Sequence, residues 1–305
     1  RLSLNGFKRQ RQTDASLIRI YFRYICVQNR SMYTEYQPSH LLVPYIDSYW
    51  EFKGNPDYGM RIHILPDGCT DFIFTLGEVA NAVEEGSLIM QPYRSYFVGP
   101  MTKYSELVTY TESIHMFGVR FLPCGLSCFT NLPLHEFVNS RVSTNEMKAV
   151  FDDTFIEKLG EQKHVTDRIR VVEEYLLAYL ARHYQPADSH VAMAVNMINH
   201  SKGKRSVRSL MDDVCLCQRH FERKFKHYTG FTPKEYSRIV KFKNAVELLR
   251  TTTSANLLTT AVDAGYYDLA HFSKEIKSMS GNTPASFLSL TVPEETTLTY
   301  IEPQR

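Results

Sequence analysis

The sequence contains no apolar run approaching the ~20 residues that a membrane-spanning helix needs. The nearest stretch, Ile18 to Val27, is interrupted by Arg19 and Arg23. Six cysteines are scattered unevenly over 305 residues, which is not the arrangement of a disulfide framework. We therefore expect a cytoplasmic protein that does not act at a membrane.

Signatures of catalysis are also missing. No phosphate loop of the G-x-x-x-x-G-K-S/T type and no nucleophile paired with a base appears in the sequence. His63 and His115 stand alone, whereas a metal-binding barrel would need clustered His and Glu. Cys124 and Cys128 form a single C-x3-C pair, with Cys69 elsewhere, and structural zinc usually takes two close pairs. We expect inert buried cysteines, no metal, no cofactor and no enzyme activity.

The net charge of +2 is distributed unevenly. Residues 32–200 carry 12 Lys and Arg against 21 Asp and Glu, whereas residues 201–290 carry 15 against 8. An acidic body joined to a basic module is typical of a sensor attached to a nucleic-acid binder. Uneven charge is also common in two-domain proteins, so this asymmetry indicates DNA binding only together with the repeat described next.

The most informative stretch, Val207 to Leu288, contains the same pattern twice. His, Phe, a basic residue, an apolar residue, Lys, Gly, Thr and Pro recur at a constant offset of 51 residues, beginning at His220 and at His271. Self-similarity at a fixed period indicates one supersecondary unit built twice. Because the two His share one position in the repeat, we interpret them as packing or capping residues rather than as ligands.

Each copy has the pattern of a helix-turn-helix unit. Phe221 with Phe225, and Phe272 with Ile276, are spaced i, i+4, so each helix has one apolar stripe and one polar face. A short apolar helix precedes each of these helices. Two helices joined by a tight turn are therefore predicted in each copy.

The ends of these helices are marked by cap residues. Asp268 is a good N-cap because its carboxylate accepts from orphan amides of the first turn, whereas Cys217 at the equivalent position is a poor one. Gly230 and Gly281 end the helices where a positive φ is easiest. Gly265 supplies the tight turn ahead of the second helix.

A connecting helix is predicted between the two copies, because Lys234 to Arg250 contains no Pro or Gly. About 17 residues of helix span roughly 25 Å. A rod of that length can hold two recognition helices near one turn of B-DNA apart, roughly 34 Å.

Residues 206–288 resemble the DNA-binding domain of the AraC/XylS family of bacterial transcription regulators. The most specific features are Ser237-Arg238 through Leu249, and Ala264 through Phe272 followed by Gly281-Asn-Thr-Pro. A lone helix-turn-helix pattern is weak, but two at the family's spacing are strong. The resemblance implies binding to double-stranded promoter DNA, with RNA polymerase as a further partner.

Residues 33–145 are predicted to be mostly β, because short alternating runs are separated by Gly, Pro, Asn and Asp. This pattern favours a small barrel or a sandwich. Tyr49-Trp50, Leu65-Pro-Asp-Gly-Cys69 and Gly118-Val-Arg-Phe121 resemble the cupin-like N-terminal domain of many AraC-type regulators. That resemblance implies a domain that senses a small-molecule effector or pairs protomers.

The predicted fold class is a multidomain α+β protein with an N-terminal cupin-like β-barrel and an all-α double helix-turn-helix domain. The basic extension 1–31 is interpreted as translation upstream of Met32 or as a flexible arm. We expect the boundary of the DNA-binding domain at a flexible basic joint near Ser201–Arg205. The full division is 1–31, the β sensor domain 32–132, a helical linker and dimerisation segment 133–200, the DNA-binding domain 201–290 and a flexible tail 291–305.

The outward face of the first recognition helix is predicted to carry Gln218, Arg219, Glu222, Arg223 and Lys226. By resemblance, Arg219, Glu222 and Arg223 occupy the base-reading positions. Arg pairs bidentately with guanine and Glu accepts from cytosine, each contributing roughly 1–3 kcal/mol of discrimination. The alternative is that the two Arg are solvated or bound to phosphate.

The second recognition helix is chemically poorer. Leu269 and Ala270 stand at the reading positions, where they either contact thymine methyl groups or contribute nothing. Lys274 and Lys277 are predicted phosphate ligands, and Ser273 reaches either base or phosphate. We therefore predict that the first unit carries most sequence specificity and that the second mainly positions the protein.

These features together predict a bacterial transcription regulator, an activator that responds to a small-molecule effector and pairs as a homodimer. A DNA-repair or metal-dependent enzyme delivered by the same DNA-binding domain is the alternative, which stoichiometric zinc would favour. A ligand-free regulator controlled only by its abundance is the third reading.

Overall fold

The computed structural model describes residues 32–56, 60–77, 82–84, 90–109, 112–147, 150–151, 153–183, 185–214, 216–251, 256–289 and 299–301. The interpretations of residues 1–31 therefore lie outside the described residues. Of the segment predicted to be a flexible tail, Thr299–Ile301 forms a strand that pairs with the N-terminal domain.

The N-terminal domain is built from two antiparallel sheets. One has six strands in the order β1-β2-β8-β4-β6-β9, and the other has four in the order β10-β3-β7-β5. The strands are β1 (Tyr33–Tyr36), β2 (Ile46–Gly54), β3 (Met60–Ile64), β4 (Thr70–Thr75), β5 (Ala82–Glu84), β6 (Ser95–Val98), β7 (Ser105–Thr109), β8 (Ile114–Phe121), β9 (Arg141–Ser143) and β10 (Thr299–Ile301). The predicted sheet-rich domain is confirmed, but pairing among the described strands gives two sheets and does not show a closed barrel.

Helices follow the sheets. Single 3-10 turns lie at Leu126–Cys128, Leu134–Phe137 and Thr144–Glu146. The α-helices are α1 (Asp153–Gly160), α2 (Val165–His183), α3 (Ser189–His200), α4 (Val207–Val214), α5 (Gln218–Thr229), α6 (Pro233–Thr251), α7 (Leu257–Asp263), α8 (Leu269–Ser280) and α9 (Pro284–Ser289). No helix among the described residues combines the length and the apolar character that crossing a bilayer requires.

Alternation along β4 shows why both faces of the six-stranded sheet are buried. Phe72 and Phe74 lie on one face, and their ring centroids are 5.1 and 5.4 Å from that of Phe151, which leads into α1. Ile73 lies on the other face, in a separate core between the two sheets. Helices therefore cover one face of this sheet and the smaller sheet covers the other.

The C-terminal domain has one continuous core. Val191 and Ile198 of α3 share it with Phe221 of α5 and Phe272 of α8. The predicted boundary near Ser201–Arg205 would separate α3 from the helices with which it packs. α3 therefore packs with the C-terminal helices, and the position of the boundary stays a prediction.

The segment predicted to be a flexible joint is held by hydrogen bonds. Lys204 Nζ donates to the Asp263 carbonyl at 2.6 Å, and Arg205 Nε donates to Ser209 Oγ at 3.0 Å. These contacts tie the turn between α3 and α4 to the helix-turn-helix units on both sides.

Candidate nucleic-acid interface

The first recognition helix, α5, forms where the i, i+4 spacing predicted it. Phe221 and Phe225 are fully buried, with ring centroids 5.6 Å apart. Gly230 ends the helix with φ 83°, and its N–H donates to the Lys226 carbonyl. Cys217 occupies the N-cap position and makes no side-chain capping bond, as predicted.

The second recognition helix, α8, repeats this design with a working N-cap. The Asp268 carboxylate accepts from the His271 backbone N–H at 2.7 Å. Phe272 and Ile276 are buried, and Gly281 ends the helix with φ 77°. The predicted turn ahead of this helix is made by Gly265 at φ 86°. The two copies of the sequence pattern therefore give two copies of one structure.

The cap difference predicts opposite stability changes at equivalent positions. We expect Asp268→Ala to lower the free energy of unfolding by about 1 kcal/mol, because the first turn of α8 loses its acceptor. We expect Cys217→Ser to raise it by about 0.5–1 kcal/mol, because a hydroxyl gains the same role on α5. Urea denaturation of the two variants measures both changes. A loss in both variants would contradict this account of the caps.

The polar face of α5 is open to solvent. Arg219, Arg223 and Lys226 are exposed, and neither Arg makes an ion pair among the contacts of the described residues. Gln218 Nε2 donates to Glu222 Oε1 at 2.9 Å, which orients the half-buried carboxylate along this face. All five predicted residues of this helix therefore lie where a duplex can reach them, and their contact with bases stays a prediction.

The outward face of α8 carries the other five predicted residues. Leu269, Ala270, Lys274 and Lys277 are exposed, and Ser273 is half-buried. The face is apolar at its N-terminal end and basic further along. Its contact with DNA is likewise a prediction.

Sequence reasoning missed two features beside α8. Tyr267 is 91% exposed directly ahead of the N-cap. Arg238 of α6 holds Glu275 of α8 through two hydrogen bonds of 2.6 and 3.1 Å, which raises the pKa of Arg238. This bidentate pair fixes the rotation of α8 against the connecting helix. No repeat signal marks it, because Lys224 stands at the position equivalent to Glu275.

The N-terminal domain supports both recognition helices through the loop between β6 and β7. We call residues 99–104 the platform loop. A Cβ on Gly230 would lie 2.5 Å from Pro100 Cγ, and one on Gly281 would lie 2.8 Å from Tyr104 Cζ. The loop therefore touches the C-terminal ends of α5 and α8, and leaves their N-terminal ends exposed.

A second contact joins α5 to the 3-10 turn Leu134–Phe137. The His227 ring centroid lies 6.4 Å from that of His135. Burial lowers the pKa of His227, and nearby His135 lowers it further. Neutral imidazole therefore makes this contact at neutral pH.

The connecting helix α6 packs against the turn between β3 and β4. The Lys243 ammonium donates to the Asp67 carbonyl at 3.0 Å, and the Tyr236 ring lies directly over Gly68. Leu65 and Cys124, both from the N-terminal domain, belong to the core of the C-terminal domain. α6 therefore contacts both the helix-turn-helix core and the sheet domain, and Tyr236 takes part in both contacts.

Gly68 is required in this contact for two reasons. Its φ is 87°, and a Cβ would lie 2.7 Å from Tyr236 Cε2. We expect Gly68→Ala to lower the free energy of unfolding by about 1–2 kcal/mol from the left-handed conformation alone. Gly160→Ala is the matched control, since a Cβ there meets nothing within 4 Å. Equal decreases in the midpoint temperature of thermal unfolding for the two variants would contradict the prediction.

A buried charge network lies beside this turn. Arg120 Nε is 3.2 Å from Asp71 and 3.6 Å from Asp67, and Arg120 Nη1 is 3.5 Å from Glu35. Trp50 Nε1 donates to Asp71 at 2.7 Å. Burial raises the pKa of Asp71, although Arg120 opposes the shift. Three carboxylates therefore share one guanidinium, and Asp67 also interacts electrostatically with the buried ammonium of Lys243.

A cavity of about 50 Å³ lies between the two sheets. Its walls are mainly apolar and include Ile73, Val98 and Met101, while Asp71 and Arg120 form a polar end. Met101 belongs to the platform loop. The cavity therefore adjoins both the charge network and the support of the recognition helices.

The groups considered for metal or redox chemistry are dispersed. Among the described residues, no three His, Cys, Asp or Glu side chains are grouped to hold a metal. His115 Nε2 lies 2.8 Å from Glu51 Oε1, which also accepts from Arg168 Nη1 at 3.0 Å. Burial raises the pKa of the thiols of Cys69, Cys124 and Cys128. A buried thiol with a raised pKa is a weak nucleophile and a weak metal ligand.

Two family models match the sequence. Residues 34–143 match a domain of unknown function (DUF6597), and residues 210–289 match a helix-turn-helix domain. The second match begins within α4 and ends with α9, so it includes both recognition helices. No curated protein matches the chain.

Among solved structures, the chain is similar to ToxT from Vibrio cholerae O395, with a TM-score of 0.46, 9% identity and coverage of 80% of this chain and 98% of that chain. Similarity to wild-type ToxT from Vibrio cholerae strain SCE256 bound to an unsaturated fatty acid has a TM-score of 0.44 and 12% identity, and covers 87% of this chain and 97% of that chain. Similarity to a probable AraC family transcriptional regulator from Rhodopseudomonas palustris CGA009 has a TM-score of 0.32 and 20% identity, and covers 35% of this chain and 100% of that chain. These scores are too low to transfer a ligand or a partner.

Proposed function

We propose that this chain is an AraC-type regulator that controls transcription by binding promoter DNA with both units of its helix-turn-helix domain, residues 210–289. The observation that carries the proposal is the open basic face of α5. Arg219 and Arg223 are exposed, while Phe221 and Phe225 on the opposite side are buried. Recognition helices present such a face to the major groove.

The two helices have different tasks in this proposal. Arg219, Glu222 and Arg223 read base edges, with Gln218 orienting the carboxylate of Glu222. Lys226 on α5, with Lys274 and Lys277 on α8, binds phosphates. Phosphate contacts fix the register of the protein on the duplex, so α5 carries most of the sequence specificity.

The N-terminal domain is proposed to sense a small-molecule effector at the cavity between its sheets, which would have to expand from about 50 Å³ toward the roughly 300 Å³ of a ligand pocket. Support comes from Met101, which lines the cavity and belongs to the platform loop beneath α5 and α8. An effector changes DNA binding only if its affinity differs between two arrangements of this loop. The cupin-like assignment of this domain is part of the same proposal.

Further parts of the proposal rest on the family resemblance. We propose that the protein is a cytoplasmic bacterial activator that contacts RNA polymerase. The helical segment 133–200 is proposed to pair two protomers, and α1 and α2 are its main elements.

Salt titration of duplex binding by the full-length protein tests the proposed function. The logarithm of the affinity is expected to fall linearly with the logarithm of salt concentration, with a slope near −0.9 per phosphate contacted. A pool of random duplexes, enriched by repeated capture, supplies the preferred sequence. Absence of salt-sensitive affinity for any duplex would overturn the proposal.

A further inference from the structure

Exposed large apolar side chains are concentrated in the second helix-turn-helix unit. Of the six found among the described residues, four lie there: Leu258, Val262, Tyr267 and Leu269. Leu269 is also the first residue of α8. Of these four, Leu269 lies at the N-terminal end of a recognition helix, the end that faces base edges when such a helix enters the major groove.

The repeat establishes what Leu269 and Ala270 face. They are equivalent to Gln218 and Arg219 of α5 at the offset of 51 residues. Both helices start one residue after their N-cap, bury the same stripe and end at a left-handed Gly. Equivalent residues therefore point in the same direction relative to their own helix and turn. The position that carries Arg on α5 carries a methyl group on α8.

We propose that the second unit reads thymine methyl groups, with Leu269 and Ala270 against the floor of the major groove. The inference rests on the proposed function, since it specifies which DNA the second unit recognises. The C5-methyl of thymine is the one apolar group that a base pair presents in this groove. An apolar side chain set against any other base edge would leave that edge's donors and acceptors without partners.

The neighbouring charges favour DNA over a protein as the occupant. Lys274 and Lys277 are exposed one and two turns along the same helix, where they can hold phosphates on either side of the groove. The apolar end of α8 is thus continuous with a basic surface. The operator is expected to be asymmetric, with G·C pairs read by α5 and thymines read by α8.

Deoxyuridine substitution tests the proposal, because deoxyuridine lacks only the methyl group and keeps the base pairing of thymine. Full-length protein is titrated with its preferred duplex and with duplexes that carry deoxyuridine at single thymines of the α8 half-site. Each contacted methyl is expected to contribute about fourfold in affinity, the equivalent of one buried CH₂ group. Leu269→Ala and Leu269→Gln are each expected to abolish this difference at the thymine that Leu269 contacts, and to keep it at a thymine that Ala270 contacts.

Two controls isolate the effect. Deoxyuridine in the α5 half-site is expected to leave the affinity for the duplex unchanged. Leu41→Ala removes an exposed apolar side chain from the N-terminal domain and is expected to leave the discrimination between thymine and deoxyuridine unchanged. Thermal unfolding verifies that each variant is folded. Since Leu269 is surface-exposed, the Gln variant, which installs the residue type of position 218, keeps the test valid even if Ala perturbs α8.

The inference is overturned if deoxyuridine and thymine duplexes bind equally throughout the α8 half-site, or if both Leu269 variants keep full discrimination. Salt-sensitive binding that persists in those cases leaves the proposed function intact. If the wild-type protein binds no duplex at all, both this inference and the proposed function are overturned. Unchanged methyl discrimination together with weaker capture of a protein partner by Leu269→Gln would assign the patch to protein instead.

Discussion

Replacing Arg120 by Leu is expected to lower the free energy of unfolding by about 3–5 kcal/mol, because it leaves buried carboxylates without their counter-charge. Asp71, Asp67 and Glu35 lie 3.2–3.6 Å from this guanidinium. The side chains of all four residues are largely buried, so water cannot replace the lost partner. Urea denaturation near neutral pH measures the loss.

The loss should depend on pH with a defined sign. Burial raises the pKa of Asp71 in the folded protein, so the native state holds this proton more tightly than the unfolded chain. The contribution of Asp71 to the free energy of unfolding therefore rises as pH falls through its folded pKa, and levels off below its unfolded pKa of about 3.9. Arg120 opposes that shift, so its removal raises the pKa of Asp71 further. The deficit of Arg120→Leu should be smaller at about pH 5 than near neutral pH.

Arg170→Leu is the matched control. Arg170 also pairs with a carboxylate, that of Asp167 at 2.7 Å, but its side chain is 64% exposed. An exposed pair of this kind contributes about 0–1 kcal/mol. Equal losses in the two variants, or a deficit in Arg120→Leu that grows as pH falls, would contradict the role assigned to the network.

Replacing Arg223 by Ala is expected to weaken binding to the preferred duplex by about 5–150-fold, corresponding to about 1–3 kcal/mol. The loss should be confined to one base pair, because a bidentate contact to guanine discriminates against the other bases. Duplexes altered at that pair should bind the variant as well as the preferred one. Competition titrations with single-base-pair variants of the selected duplex measure this flattening.

Lys274→Ala provides the contrasting case. Lys274 is exposed at the position equivalent to Arg223 and is assigned to phosphate. Its loss should weaken all duplexes alike and reduce the salt slope by about 0.9. If Arg223→Ala behaves in the same way, Arg223 binds phosphate rather than a base.

Local signals predicted the helix-turn-helix units well. Phe221 and Phe225, Asp268 and Gly281 each specify a helix face or a helix end through neighbours within four residues, so no distant contact is needed. The same holds for the mostly β pattern of residues 33–145, because alternation is set by immediate neighbours. Within that region the short strands β1 and β9 have few residues to show alternation, and they are completed by pairing with β2 and β6.

Long-range packing explains the other differences. The pattern of α3 predicts a helix but not the core it joins, and Val191 contacts the C-terminal domain rather than the sheets. The apolar residues of α6 likewise predict a rod, yet nothing local indicates that Tyr236 and Lys243 also hold the N-terminal domain. At the interface, helix periodicity predicted the outward residues of α5 and α8. Tyr267 and the Arg238–Glu275 pair were missed because exposure and ion pairing arise from tertiary placement.

The platform loop has a consequence for the DNA as well as for the protein. Because Pro100 and Tyr104 contact the C-terminal ends of α5 and α8 from one short segment, each arrangement of the platform loop holds the two reading ends at one separation. Each base pair inserted between the half-sites turns the far one by about 34–36° around the duplex axis. Two recognition helices held at one separation cannot follow that rotation. The operators of this protein should therefore share one distance between half-sites, even where their base sequences differ.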